Sequence, residues 1–140
     1  MSRFVLDSDT VTHFEYGHPV VHAHVASHPV TDIALPVIVV QEQMRGWLGR
    51  LSRLKTAQQQ ADWYNRLVSR IMPVWHHFDV LSYTQSAILR FDNLRSLKLK
   101  VGHMDLRIAA IALENGCTVE TSNKSDFGRV PGLSIVDWTI

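Results

Sequence analysis

Apolar and polar positions along this chain fall into two rhythms, short continuous runs and stripes at helical spacing. Phe4-Val5-Leu6 is a continuous apolar run ending at Asp7, the pattern of a strand buried on both faces over residues 3–7. Asp9-Thr10 then provides a cap for a helix reaching about residue 15, and Gly17-His18-Pro19 interrupts it. A second short helix is expected over 19–27, ended by His28-Pro29. "DIALPVIVVQEQMRGWLGRL" reads as a strand near 32–35 running into a helix, on which Val40, Met44, Trp47/Leu48 and Leu51 form one stripe. Ala57, Ala61, Tyr64, Val68, Ile71, Met72 and Trp75 form a second stripe, disturbed near Pro73. "FDVLSY" is the third strand, and Ser82-Tyr83-Thr84 opens a helix to about Leu97. Asp105 opens the most apolar helix, "DLRIAAIALENG", which Gly116 closes. "CTVET" and "LSIVD" are the last strands.

Strands separated by helices predict an α/β fold, a mostly parallel sheet with helices on both faces. Open sheets of this kind place their active site outside the carboxyl ends of the strands. Asp7 stands at one such end and Thr121 at another. With no repeat or linker, the 140 residues are expected to be a single domain, 1–140. Apolar residues at 46% and charged residues at 19% exclude a disordered chain. No apolar run approaches the roughly 18–20 residues of a membrane span, and the Phe4–Leu6 run is too short for a signal peptide. The single cysteine, Cys117, excludes an internal disulfide and is expected to be a buried small residue at a strand start. These features together predict a cytoplasmic protein.

The net charge is only +1, but residues 43–104 carry ten of the fourteen Lys and Arg against three acids, a net +7. Acidic ends around a basic middle suit a polyanion gripped by side chains and cut at a metal-loaded centre, although solvated helix faces produce the same count.

"LDSDTV" opens two chemistries. It fits the D-x-D-x-[TV] loop of haloacid-dehalogenase-type phosphatases, in which the first aspartate attacks phosphate, and "CTVETS" matches that family's second motif. Those enzymes also need a downstream lysine and a further acidic motif, and only 19 residues follow Thr121. The covalent reading cannot be completed. The alternative is a metal site: Asp7, Glu42, Asp105 and Asp126 each lie at or near a strand–helix junction. Hard cations such as magnesium take oxygen ligands, and like charges brought that close imply a cation between them.

At this point the chain resembles the PIN-domain ribonucleases, and among them the VapC-type toxins of toxin–antitoxin pairs. "FVLDSDTVT" is similar to that family's opening, "VIVVQEQMRG" to its glutamate-bearing helix start, and "MDLRIAAIALENGCTVETSNKSDFGRVPGLSIVDW" to its closing stretch. The resemblance implies a three-layer α/β/α PIN-like fold and an Mg²⁺- or Mn²⁺-dependent endoribonuclease holding one or two ions. Asp7 and Asp105 would be direct ligands, Asp126 next, and Glu42 a ligand directly or through water. Thr121 and Asn123 would position ligands or substrate, and Ser8 and Asp9 would shape the first loop. Arg45, Arg50, Arg95, Lys98 and Lys100 are candidates for RNA phosphate contacts. The implied partners are a structured RNA (tRNA or ribosomal RNA), a cognate antitoxin and a second copy of the chain. Rival readings are a non-catalytic RNA- or partner-binding PIN domain and a housekeeping RNA-processing nuclease with no antitoxin.

Several residues depart from that pattern or stand outside it. Ser8 replaces a usual threonine, "VGHMD" is an unusual lead-in to Asp105, and Glu120 replaces an apolar strand residue and is expected to face solvent at the strand end. His18, His22, His24 and His28 cluster; the i, i+4 pair His18/His22 has zinc-binding spacing, but a solvated helix is the expected reading. His76-His77 is expected to be structural. Trp47, Trp63 and Trp75 are expected in the core, with leftover apolar surface marking a partner interface.

Overall fold

A computed structural model describes residues 3–140. Its centre is an all-parallel five-stranded sheet in the order β3-β2-β1-β4-β5, made of β1 (Arg3–Leu6), β2 (Ile33–Pro36), β3 (Asp79–Leu81), β4 (Cys117–Glu120) and β5 (Ile135–Val136). Parallel neighbours cannot be joined by tight turns, so every connection crosses over through helix. Between β1 and β2 lie α1 (Ser8–Glu15) and α2 (Pro19–Ala26); between β2 and β3, α3 (Val37–Arg53), α4 (Ala57–Arg66) and α5 (Met72–His77). Between β3 and β4 lie α6 (Gln85–Ser96) and α7 (His103–Glu114), and α8 (Lys124–Phe127) leads into β5. This is the α/β/α architecture the sequence predicts.

The strand order runs outward from β1 in both directions. The crevice beyond the carboxyl end of β1 is therefore the switch point where such sheets bind ligands. The core is built to hold that edge still. Val5, Leu6, Ile33, Ala34, Leu35 and Val119 of the three central strands are completely buried, as is the run Ile108–Ala112 of α7. Alanines at 109, 110 and 112 keep α7 thin, which lets it pack against the sheet, α3 and α6 together. Cys117 is a buried free thiol at the start of β4, as expected. Among the described residues no helix is long and apolar enough to cross a membrane.

Four local expectations shift. Asp7, not Asp9-Thr10, caps α1: it is extended and its side chain accepts from the Ser8 amide, while Asp9 enters the first turn, where a negative charge suits the helix N-terminus. Helix α7 begins at His103 with Gly102 as its cap, which puts Asp105 inside the first turn. The second stripe is helical throughout residues 57–77 but widens to a π-turn over Leu67–Ile71. Pro73, lacking an N–H, sits just after that turn, which absorbs the lost hydrogen bond. Both outer strands are shorter than their apolar runs, having one neighbour each.

The histidines in and beside α2 are only partly solvated: His22 is exposed, as expected, whereas His18, His24 and His28 are half-buried against neighbours. His18 Nδ1 caps α2 by accepting from the Val21 amide at 3.2 Å. His22 stacks flat on Phe14, ring centroids 4.2 Å apart, and its Nε2 lies 2.7 Å from the Phe14 carbonyl, to which it donates. His24 and His28 both stack on Trp138 near the C-terminus. His77 packs against Phe14 and Phe78, in keeping with a structural role.

Glu120 is the largest departure. It is completely buried, and its Oε2 accepts from the Trp138 amide at 2.8 Å. A strand covered on both faces has no solvent side for an alternate residue to occupy, and residue 138 folds back over the end of β4. The Thr10 hydroxyl faces Glu120 without completing a well-formed hydrogen bond, so Oε1 and Thr10 Oγ1 are both left unpartnered. Burial pushes the Glu120 carboxyl above its usual range, against the pull of Thr10 and the Trp138 amide. The folded state thus binds this proton more tightly than the unfolded chain does. The stability it contributes is present below the ordinary glutamate range and is lost as pH rises through the raised folded value. Glu120→Gln removes the charge, keeps an acceptor for Trp138 and offers Thr10 a donor. Thermal melting at pH 8 should find the variant more stable by about 1 kcal/mol, an advantage that fades near about pH 4. A variant less stable at pH 8 would show that the fold depends on the ionised carboxylate.

Candidate active site

Leu6 of β1 pairs with Glu120 of β4, so the next residues, Asp7 and Thr121, leave the sheet side by side. The completely buried Thr121 donates from Oγ1 to Asp7 Oδ2 at 2.8 Å, and the Ser8 amide donates to Oδ1 at 2.8 Å. Both oxygens of Asp7 are therefore oriented before any ligand arrives. The same Thr121 oxygen accepts from the Asn123 amide at 2.9 Å. Asn123 Nδ2 in turn donates to Asp126 Oδ2 at 3.1 Å, while Arg129 reaches Asp126 Oδ1 at 3.5 Å and the Lys100 carbonyl at 3.0 Å. A chain of polar contacts thus links Asp7 at the end of β1 to Asp126 in α8 and to the loop preceding α7.

Glu42 projects from the second turn of α3 and Asp105 from the first turn of α7, both half-buried. Burial, then the charges of Asp7, Asp105 and Asp9, push the Glu42 carboxyl up to about 7, while Arg45 pulls it back. Burial, then Asp7, Asp126 and Asp9, push Asp105 up to about 6. Burial also raises Asp7, against its hydrogen bonds from Thr121 and Ser8. The four acids singled out from the sequence therefore share one electrostatic neighbourhood, and Asp9, on the exposed face of α1, adds a fifth negative charge felt by Asp7, Glu42 and Asp105.

Oxygen-only donors from four separate elements suit a hard divalent cation. Glu42 Oε1 is buried without a hydrogen-bond partner, an acceptor held out of water with nothing to accept from. Among the described residues no three His, Cys, Asp or Glu side chains already close into a ready cage. The oxygen-only donor set and the orphaned Glu42 oxygen fit a hard divalent cation such as magnesium or manganese.

Ser8 is held by Gln43, whose Nε2 donates to Ser8 Oγ at 2.7 Å and to its carbonyl at 2.9 Å, fixing α1 against α3. Gln43 and Arg129 escaped the sequence reading; their only signals were adjacency to Glu42 and to "SDF". Of the basic candidates, Arg45 and Arg50 lie on α3. Arg95 is engaged locally, 3.8 Å from Asp92 and above the Phe91 ring. Lys98 and Lys100 occupy the turn before α7, both in the left-handed backbone region (φ 54° and 61°), where non-glycine residues are strained.

The chain matches no protein-family model and no curated protein. Solved structures do match it along its whole length. A chain of the DNA-bound VapBC from Salmonella typhimurium superposes with a TM-score of 0.79 at 22% identity, covering 99% of each chain. A chain of FitAcB from Neisseria gonorrhoeae gives 0.72 at 21%, covering 96% of this chain and 97% of that one. VapBC-1 from nontypeable Haemophilus influenzae gives 0.71 at 21%, with 98% of each covered. At these identities the likeness is one of fold, and the fold is the one the sequence resemblance implies.

Relief of repulsion can be measured without any ion. In chelator at pH 8, Asp105→Asn should raise the midpoint of thermal unfolding, worth about 1 kcal/mol once solvent screening of this half-exposed group is allowed for. A lowered midpoint would mean that Asp105 is held by contacts that outweigh its repulsion.

Proposed function

We infer that this chain is a metal-dependent PIN endoribonuclease, the toxin of a VapC-type toxin–antitoxin pair acting on structured RNA. One observation supports the reading: Glu42 and Asp105 both feel the charge of Asp7, and Asp105 that of Asp126, so acids from four separate elements influence one another at the carboxyl edge of the sheet. Support for a protein partner comes from the structural neighbours, several of which are complexes of VapBC or FitAB type.

Asp7, Asp105 and Asp126, with Glu42 directly or through water, would hold one or two Mg²⁺ or Mn²⁺ ions. Such an ion makes water a stronger nucleophile near neutral pH and offsets charge gathering on the phosphodiester. The chain's own contribution is positional. Thr121 and the Ser8 amide fix both oxygens of Asp7, and Asn123 and Arg129 fix both of Asp126, so these carboxylates present set directions. Gln43 fixes Ser8 at the start of α1. Basic side chains flank the acids on two sides, Arg45 and Arg50 on α3 and Lys98 and Lys100 before α7, where a polyanion crossing the site would meet them. No side-chain nucleophile is required, and the products carry a 5′-phosphate and a 3′-hydroxyl.

Induced expression of the wild type should arrest growth and yield discrete RNA fragments, and Asp7→Asn or Asp105→Asn should abolish both while remaining folded. Equal toxicity of wild type and variants would remove the carboxylates from the mechanism; equal harmlessness under inducing conditions would favour a non-catalytic binding domain. Thr121→Val leaves every acid in place but frees Asp7, and should weaken Mn²⁺ binding by calorimetry about 10–100-fold. Unchanged affinity would show that Asp7 needs no such orientation.

A further inference from the structure

A cavity of about 350 Å³ runs from Ser8 and Glu42 along α3 to Arg50, Arg53 and Trp63, a volume within the range of small-ligand sites. Of the four acids only Glu42 lines it, at one end, and Glu15 is the other carboxylate in its wall. Its walls are fixed by a reciprocal clasp. The Trp47 indole N–H donates to the Trp63 carbonyl at 3.2 Å, and the Trp63 N–H donates to the Trp47 carbonyl at 2.9 Å, with the rings nearly parallel. Both indole donors are consumed, so the tryptophans offer the cavity ring surface and no hydrogen-bond donor.

Cations complete the lining. The Arg50 guanidinium lies 4.5 Å from the centre of the Trp63 ring, and Arg53 stands beside it; Arg66, outside the cavity, lies 4.5 Å from the centre of the Tyr16 ring. Arg66 is neutralised by Glu15 at 2.7 Å, whereas Arg50 and Arg53 have no carboxylate within ion-pair distance among the described residues. Two guanidiniums without a carboxylate partner, Arg50 (which also reaches the Tyr16 hydroxyl at 3.5 Å) and Arg53, beside flat aromatic surface match a ligand that alternates phosphates with planar rings. Bases stack on aromatic rings and on guanidinium planes, and the phosphates between them meet the charge. A polypeptide has no such repeat, and the cavity opens onto the residues proposed to cut a phosphodiester.

Building on the nuclease reading, we propose that this cavity seats an unpaired RNA base next to the phosphodiester that is cut, stacked on the Arg50–Trp63 platform, with Arg53 taking a neighbouring phosphate. The stack makes these residues determinants of which RNA sequence or loop is accepted.

The test uses full-length Asp105→Asn protein, single-stranded hexaadenylate and hexauridylate RNA, and a hexamer of abasic ribonucleotides with the same phosphates. Binding is read as the dissociation constant and as quenching of tryptophan fluorescence. The base-bearing hexamers should quench and should bind about tenfold more tightly than the abasic one. Arg50→Ala, at an exposed helix position, should erase most of that difference; Arg50→Lys, which keeps the charge without the plane, should erase it nearly as well. Trp63→Phe should retain the difference and lose much of the quench. Equal affinity for abasic and base-bearing hexamers would overturn the proposal in favour of phosphate contacts alone. Absence of quenching by any base-bearing RNA would overturn it, because no base would then lie against Trp63. Wild-type cleavage is scored separately: cleavage without base-dependent binding sinks only the base seat, and base-dependent binding without cleavage sinks the nuclease reading.

Discussion

Every strand runs in the same direction, so every carboxyl end emerges on one edge of the sheet, and the arrangement of functional groups follows from that constraint. β1 lies at the centre with β2 on one side and β4 on the other. The residues that leave these strands, Asp7 and Thr121 directly and Glu42 through α3, are delivered to one crevice without any long loop having to be ordered. The crossover helices supply the remainder: the first turn of α7 brings Asp105, and α8 brings Asp126. Loss of the parallel register at β1 and β4 would separate Asp7 from the hydroxyl that orients it.

The cost of this concentration is electrostatic. Half-buried carboxylates that face one another hold their protons above the usual range and leave Glu42 Oε1 with no hydrogen-bond partner. Such strain at a rim, above a core of completely buried aliphatic residues, is a common division between the parts of a domain that stabilise it and the parts that act. The polar chain from Thr121 through Asn123 to Asp126 and Arg129 limits the disorder that repulsion would otherwise produce. Orientation is thus settled by neutral donors and one arginine rather than by the acids themselves.

Local patterns made much of this legible. The continuous apolar run ending at Asp7 located β1, the alanine-rich apolar run located α7, and the junction positions of the acids pointed to the edge where the site is proposed. What escaped was decided by contacts distant in sequence. Glu120 is buried because Trp138, at the far end of the chain, donates to it. His22, His24 and His28 have aromatic partners because Phe14 and Trp138 fold against α2 and the turn after it. The clasp between Trp47 and Trp63 depends on α4 turning back along α3, and Gln43 becomes significant only when α1 lies beside it. Asp105 and Asp7 moved by a residue or two relative to their helix starts because capping is settled by backbone geometry at the strand end.

The central claim is that the acids at the β1–β4 switch point form a divalent-cation site that serves phosphodiester hydrolysis. Anomalous diffraction from crystals grown with Mn²⁺ tests it most directly. One or two manganese peaks are expected in contact with Asp7, Asp105 and Asp126, lost in crystals of Asp7→Asn. Fully occupied peaks elsewhere, with none in that crevice, would contradict it.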